Sequence, residues 1–340
     1  MGSTPTRSLV LIPFAAGRTL GAFRLDLPGE AEAGGLDRVA ATATGMVCRL
    51  PDADGVAIVL YSDDAICDGA LPGEELAGAL LRRLDACGLE SLGALCVTPA
   101  AWGSYLDPEC PPQGRPLELL TAPAEAAAMP VADGDQSAGA ELPEPAPAEL
   151  ADVVDAHAAL VTALGAVCDG PSPGRSRPRR RGAGRPDVGA DRAGAARVHP
   201  QALDALCRLD DLPALYETAL QWNPAALAPF DAAVLVLCLS RPGMRDVALV
   251  QWCGGLDDGA AALDAQLRWE EGEDYPQELG MRLWGEGVRP DSERLRTALE
   301  LTRHVAALSP RGLRPGPLAL CGWLAWALGR STHAAWYAQQ

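Results

Sequence analysis

The spacing of apolar residues in the first third of the chain predicts a small α/β layer. An apolar run at residues 56–61, bounded by Asp-Gly and Ser-Asp-Asp, is typical of a strand buried on both faces. The pattern predicts strands at residues 8–14, 18–27, 56–61 and 92–97, with helices at 36–50 and 76–87. The order is therefore β-β-α-β-α-β, and we expect a mixed sheet whose later crossovers are parallel and right-handed.

Helical spacing dominates the second half of the chain. One helix is predicted at residues 149–168. Beyond His199, Pro and Gly divide the pattern into helical segments at residues 201–221, 228–240, 244–253, 259–271, 276–284, 291–308 and 316–340. In the last segment, Gly322 and Ala334 occupy the small positions of a tetratricopeptide-like helix pair, with Gly329 in its turn. We therefore predict an all-α C-terminal domain with a tetratricopeptide-like last helix pair.

Two stretches of biased composition separate these parts. Residues 118–155 contain nine acidic and no basic residues, and their first part is typical of a loop. Residues 171–197 contain eight Arg and two Asp in a low-complexity run, which is typical of a linker. The predicted organisation is an α/β domain at 1–117, an acidic Ala/Pro-rich loop at 118–148, a helix at 149–168, an Arg/Gly/Pro-rich linker at 169–199 and a helical domain at 200–340. The sequence is expected to stop inside a helix, because no cap precedes Gln340.

Charge restricts the partners that we expect. The chain has 340 residues, about the length of two domains. Its 28 basic residues are all Arg, and 45 acidic residues give this acidic protein a net charge of −17. Such a surface repels nucleic acid and anionic membranes. Nucleic-acid binding is therefore not expected, except through the Arg-rich run at 171–197, whose net charge is +6.

Cysteine usage indicates the compartment. Ten Cys are present without a CxxC motif or zinc-ligand spacing, and most lie in apolar runs. We expect free thiols in a reducing cytoplasm. The longest apolar run, at 316–329, is shorter than the roughly 20 residues that span a bilayer, so no membrane association is expected. No cofactor motif is complete, and no cofactor is expected.

Polar and aromatic residues gather after two of the predicted strands, mainly in the segment 97–117. The candidate ligand site consists of Asp63, Asp64, Thr98, Trp102, Ser104, Tyr105, Asp107 and Arg115. If the strands at 56–61 and 92–97 are neighbours, Thr98, Ser104, Tyr105 and Asp107 lie at the same carboxyl edge as the two aspartates, where α/β sheets bind ligands. The three aspartates are candidate Mg²⁺ ligands. The simpler alternative is an acidic turn that ends the strand.

Nucleophilic catalysis has less support in the sequence. Ser104 or Cys110 would need a base within hydrogen-bonding reach, and the only His before the linker is His157. No GxSxG motif surrounds Ser104. A Pro-rich loop in which Trp102 and Tyr105 pack is the structural alternative.

Tryptophan is concentrated in the second half of the chain. Seven of the eight Trp lie after residue 220, mostly near predicted helix ends. We expect a dense aromatic core there, because each Trp buries a large apolar area. Core packing explains most of these residues, and some of them could line a groove between helices for a peptide or partner.

Several segments resemble a known family. They are TPTRSLVLIPF with GRTLGAFRLDLP, GVAIVLYSDD, GALCVTPAAWGSYLDPECPPQG, PGMRDVALVQW and the Trp-rich end. With these segments in this order, the chain resembles the actinobacterial "domain of unknown function 4192" family. The resemblance touches both predicted domains. It implies a lineage, and it implies no activity, cofactor or site residue.

Two classes of function follow from these observations. We expect a non-catalytic interaction or regulatory protein of the cytoplasm, whose helical domain binds a protein partner or a second copy of the chain. Its α/β domain would bind a small ligand or another copy. The alternative is a metal-dependent or small-molecule enzyme with its site at the strand carboxyl ends. The first class is preferred because no base, nucleophile or cofactor motif is complete.

Overall fold

The computed structural model describes residues 5–27, 35–120, 137–168 and 198–340. The chain folds into two compact units, Met1–Gly139 and Ala140–Gln340. The helix predicted at 149–168 therefore belongs to the helical unit. Part of the predicted acidic loop and nearly all of the predicted linker at 169–199 lie outside the described residues.

The first unit contains one mixed sheet. Its strands in the described residues are β1 (Ser8–Ala15), β2 (Arg18–Thr19), β3 (Phe23–Asp26), β4 (Gly55–Tyr61), β5 (Glu90–Val97), β6 (Ala101–Ser104) and β7 (Arg115–Pro116). The order is β2-β1-β4-β5-β6-β7, and β3 pairs with β1 on the same side as β2. Strand β1 is antiparallel to β4, whereas β4 and β5 are parallel. The predicted mixed sheet is confirmed.

Two helices pack against the sheet. Helix α1 (Gly35–Cys48) connects β3 to β4, and helix α2 (Glu74–Ala86) connects β4 to β5. Alternate strand residues point to opposite faces of the sheet, so one face of each strand packs against the helices. The resulting core contains Leu9, Leu11, Ala40, Ala43, Val47, Val56, Ile58, Leu60, Leu76, Leu80, Leu84 and Ala94. Each helix forms a crossover between parallel strands, as the apolar pattern predicts.

The sheet differs from the predicted one in two places. The predicted second strand at 18–27 is divided into β2 and β3 around Gly21, whose φ of +126° suits glycine. The segment 97–117, predicted as irregular, contains β6 and β7, which extend the sheet beyond β5. Both strands are short and lack regular alternation, and this is why the hydrophobic pattern missed them.

The second unit is helical in its described residues, which confirms the predicted all-α domain. Its α-helices are α3 (Pro147–Cys168), α4 (Pro200–Cys207), α5 (Leu212–Ala219), α6 (Pro229–Leu239), α7 (Pro242–Cys253), α8 (Leu256–Glu270), α9 (Gln277–Leu283), α10 (Ser292–Leu308), α11 (Pro315–Ala327) and α12 (Ser331–Gln339). Several begin with Pro, whose fixed φ and missing N–H suit the first helical position. Helix α6 is the most buried, because every residue from 232 to 239 is buried.

Helix α3 packs into the core of the helical unit. Val153, Ala156, Leu160 and Ala163 form its buried face. The helix is also 22 residues long with a mean hydropathy of 1.5, and it is the one helix of the described residues long and apolar enough to cross a membrane. A core helix has the same length and composition, so this is weak evidence for a membrane span.

Two details of the helical unit bear on the predicted elements. The predicted helix at 201–221 is interrupted, because the Asp211 side chain accepts a hydrogen bond from the Ala214 N–H at 2.9 Å and caps a new helix, α5. Helices α11 and α12 pack against each other as the predicted last helix pair. A Cβ on Gly322 would lie 3.5 Å from the Ala334 carbonyl oxygen, which is an ordinary van der Waals contact, so alanine would also fit at this position.

Candidate functional site

The predicted site begins at the shared carboxyl edge of β4 and β5. Tyr61 pairs with Val97, so residues that follow the two strands lie at the same edge. Asp63 and Asp64 follow β4 and are exposed. The N–H of Asp64 donates to the Ser62 Oγ at 3.1 Å in a local turn. The two carboxylates therefore belong to a solvated turn at the end of the strand.

Thr98 closes the turn between β5 and β6. Its side chain is buried, with 4% of the residue exposed. The hydroxyl donates to the Ala101 carbonyl oxygen at 2.9 Å and accepts from the Ala101 N–H at 3.1 Å. Both functions of the hydroxyl are thus used inside the turn.

Strand β6 carries Ser104 and Tyr105 away from the carboxyl edge. Ser104 pairs with Leu95, and the Tyr105 N–H donates to the Ala94 carbonyl oxygen at 2.9 Å. The expectation that these residues share the edge with the two aspartates is corrected, because β6 runs antiparallel to β5. The Tyr105 hydroxyl donates to the Pro72 carbonyl oxygen, and burial raises the Tyr105 pKa above its usual range.

Arg115, Asp107 and Trp102 form a closed cluster beside β7. The Arg115 Nη2 donates to the Asp107 Oδ2 at 2.6 Å, and the guanidinium lies 5.3 Å from the centre of the Trp102 ring. The hydrogen bond from Arg115 is the main reason that the Asp107 pKa is lowered. The Arg115 charge is therefore neutralised within the cluster, and the indole face is covered by a cation–π contact.

The candidate residues do not assemble a metal site. Across the parts of the chain that the structure describes, no group of three or more His, Cys, Asp or Glu could hold a metal ion. The predicted set of Asp63, Asp64 and Asp107 is corrected on this ground: the first two belong to a turn, and the third is bound to Arg115. The first unit also contains no His, since His157 lies in the helical unit.

A cavity of about 480 Å³ in the helical unit is a second candidate site. It lies between the C-terminal end of α7, the loop that follows α9, and α11. Its lining includes Cys253, Asp258, Arg282, Gly285, Val288, Arg289, Trp323 and Trp326. We call it the tryptophan cavity. Its volume falls in the range of about 300–1,000 Å³ that is usual for ligand pockets.

Two indole rings form one wall of the tryptophan cavity. Trp323 and Trp326 meet edge to face, with 5.8 Å between ring centroids. The Trp323 Nε1 donates to the Leu283 carbonyl oxygen at 2.8 Å, which ties α11 to the end of α9. Trp326 lies over Gly285, where a Cβ would stand 2.3 Å from the indole Cη2. Because the φ of Gly285 is also +80°, only glycine suits this position.

The charges around the cavity are partly balanced. The Arg282 Nη1 lies 2.6 Å from the Asp258 Oδ1, so these two side chains neutralise each other. Burial raises the pKa of the Cys253 thiol to about 12, and the thiol is therefore neutral at physiological pH. Arg289 lies on the exposed rim. The interior is suited to an apolar group, and the rim combines the charge of Arg289 with the exposed apolar side chain of Val288.

The Trp pattern indicated this site only in general terms. Trp252 is fully buried, but Trp269, Trp284 and Trp326 are 55%, 81% and 50% exposed, so the expected dense aromatic core holds only in part. A clearer signal is WGEGVRP at 284–290, where an exposed Trp is followed by two glycines with positive φ. That combination indicates a loop that presents apolar side chains to solvent.

Comparison with known families identifies the lineage. Residues 1–273 match the family described as "Domain of unknown function (DUF4192)". The chain belongs to this family. The match confirms the resemblance for the segments that precede the Trp-rich end, and it runs through the α/β unit and the helical unit as far as the end of α8. Trp323 and Trp326 lie beyond the DUF4192 match. No curated protein and no solved structure matched the chain.

Proposed function

We propose that this DUF4192 protein is a non-catalytic interaction protein that binds a partner protein through the tryptophan cavity and its rim. The observation that carries the proposal is an apolar cavity with exposed apolar side chains beside it. Trp284 is 81% exposed and Val288 is 94% exposed. Apolar patches next to a pocket are typical of interaction sites, and Trp is enriched among residues that dominate binding energy. The proposal retains the cytoplasmic location predicted from cysteine usage.

The rim favours a protein partner over a small ligand. A molecule held inside the cavity would cover Trp323 and Trp326 and would leave Trp284, which does not line the cavity, in water. A partner that inserts one aromatic or branched apolar side chain into the cavity would also cover the rim. Because the chain carries a net charge of −17, basic residues around the inserted side chain would favour association.

The enzyme alternative has no comparable support. The aspartates at the carboxyl edge belong to a solvated turn, and Thr98 uses its hydroxyl to close the adjacent turn. Asp107 and Arg115 neutralise each other. We therefore place the function in the helical unit.

The test is site-specific photocrosslinking in the cells that produce the protein. Val288 is replaced by p-benzoylphenylalanine, with and without Trp326→Ala. We expect a discrete crosslinked partner whose yield falls about tenfold or more in Trp326→Ala, because loss of a central interface Trp commonly costs about 2 kcal/mol or more. The matched control is Trp269→Ala, which removes a half-exposed Trp that does not line the cavity.

The control should leave the crosslink unchanged, and thermal unfolding of each variant checks that it is folded. A crosslink of equal yield in the Trp326→Ala protein contradicts the proposal. The absence of any discrete product from position 288 contradicts it as well, since this side chain is almost fully exposed at the rim.

A further inference from the structure

Helices α1 and α2 lie side by side and run in the same direction. Strands β3 and β4 are each antiparallel to β1, so they are parallel to each other, and β5 is parallel to β4. Each helix returns the chain from the end of one of these strands to the start of the next. Two successive crossovers of this kind bring the C-terminal ends of both helices to the same end of the layer.

A cysteine stands at each of these helix ends. Cys48 is the last residue of α1, and Cys87 is the C-cap residue of α2. Both residues are exposed. The pKa of the Cys48 thiol is raised mainly by desolvation. Interaction with Cys87, through a hydrogen bond and through charge, raises it further. Helices α1 and α2 also pack against each other, so their C-terminal ends and the two exposed thiols are neighbours.

We propose that Cys48 and Cys87 form a modification site, at which a low-molecular-weight disulfide converts the two thiols into one intramolecular disulfide. The Cys87 sulfur attacks R′S–SR′, forms a protein–S–S–R′ bond and releases R′S⁻. The Cys48 sulfur then attacks the Cys87 sulfur, forms the Cys48–Cys87 bond and releases the second R′S⁻. The protons of the two protein thiols end on the released sulfurs, so two R′SH are produced and an excess of R′SH reverses the reaction.

A second pair of neighbouring cysteines lacks the same accessibility. The charge of Cys110 contributes to raising the Cys96 pKa, after the larger effect of burial. Cys96 is fully buried, so an external disulfide cannot reach it in the folded chain. The exposure of both Cys48 and Cys87 at adjacent helix ends is what distinguishes them.

The disulfide would also constrain the α/β layer. It closes a loop from Cys48 to Cys87 that contains β4 and α2, and these elements supply much of the core. Closing such a loop limits the unfolded chain more than the folded one. We expect oxidation to raise the melting temperature of the α/β unit by about 5 °C or more.

The experiment uses the reduced full-length chain, oxidised glutathione and no denaturant. After alkylation, trypsin together with a glutamyl endopeptidase places Cys48 in peptide 39–49 and Cys87 in peptide 84–90, apart from Cys96 and Cys110. We expect a linked pair of these two peptides, which excess reduced glutathione removes. Cys48→Ser should stop the reaction at a glutathione adduct on Cys87, because the resolving thiol is missing.

The control variant is Cys207→Ser, which removes an exposed cysteine from the end of α4. It should leave the yield of the linked peptides unchanged. Glutathione adducts on Cys48 and Cys87 in separate peptides, with no linked pair, would overturn the proposal. A linked pair that forms only after unfolding, or Cys87 linked equally to several cysteines, would overturn it too.

Discussion

At the scale of residues, one polar network joins three helices of the helical unit. Arg294 on α10 donates from both terminal nitrogens to the Glu217 carboxylate of α5, at 2.8 and 2.6 Å. The Gln251 Nε2 on α7 donates to the same carboxylate at 3.0 Å. The hydrogen bonds from Arg294 are the main reason that the Glu217 pKa is below its usual range. This bidentate pair therefore stabilises the ionised form of Glu217.

The network predicts a pH-dependent effect of Glu217→Gln. Because the Glu217 pKa is lower in the folded chain, the pair stabilises the fold above the unfolded pKa, and this contribution is lost as the pH falls through the folded pKa. We expect a loss of about 1–2 kcal/mol in the free energy of unfolding at neutral pH. The value is modest because 33% of the Glu217 side chain is exposed. The difference should shrink below about pH 4.

Urea unfolding followed by Trp fluorescence measures this effect, since seven of the eight Trp lie in the helical unit. Glu293→Gln is the matched control, because Glu293 forms an ion pair with Arg296 on α10 while 80% of its side chain is exposed. We expect that control to change stability by less than about 0.5 kcal/mol. A Glu217→Gln effect that is independent of pH would contradict the assigned role of the pair.

Residue types could be predicted from the sequence, but their pairings could not. The segment 97–117 stood out for its polar and aromatic content. Asp107 and Arg115 contact each other only because β7 returns beside β6 and places Arg115 opposite Trp102. Likewise, Thr98 was a reasonable ligand candidate by type, but its hydroxyl closes a turn. Pairing depends on the register of short strands, and the apolar pattern does not encode that register.

At the scale of elements, the start of α11 is fixed by a close contact with the end of α6. A Cβ on Gly316 would lie 2.2 Å from the Leu239 carbonyl oxygen and 2.9 Å from the Ser240 Cα. These are backbone atoms, so no side-chain rotation could relieve the overlap. We expect Gly316→Ala to displace the helix and to reduce the free energy of unfolding by about 1–3 kcal/mol.

Gly312→Ala is the control for this substitution. Gly312 precedes the same helix, and a Cβ there would meet no atom within 4 Å. We expect a change of less than about 0.5 kcal/mol in urea unfolding. If the two variants were equally stable, α11 would be free to shift, and the contact with α6 would have no energetic role.

Long buried elements were predictable, and short or capped ones were not. Strands β1, β4 and β5 and helices α1 and α2 follow from runs of apolar residues, because each buries a continuous face. The interruption of the predicted helix at 201–221 depends on a single side chain, Asp211, which caps α5. Such a cap is visible in the sequence as Asp before Leu-Pro, but the helical periodicity continues across it.

At the scale of the whole molecule, the tryptophan cavity could not be predicted from the sequence. Its lining combines Cys253 and Asp258 with the loop at 285–290 and with Trp323 and Trp326. These residues are far apart in the chain, and only the packing of α7, α9 and α11 brings them together. The clustering of Trp in the second half was evident from the sequence. Which indoles face solvent depends on that packing.

Two substitutions on α3 test whether this helix packs in the core of the helical unit. Leu160 and Val161 are adjacent on α3, but Leu160 is fully buried and Val161 is 44% exposed. If α3 is a core helix, Leu160→Ala should reduce the free energy of unfolding by about 2–4 kcal/mol, and Val161→Ala by less than about 0.5 kcal/mol. Unfolding in urea is followed by Trp fluorescence. Since α3 contains no Trp, a change in the unfolding midpoint would show that other helices unfold together with α3. Equal effects of the two substitutions would mean that α3 does not share the core, and its length and hydropathy would then favour a membrane span.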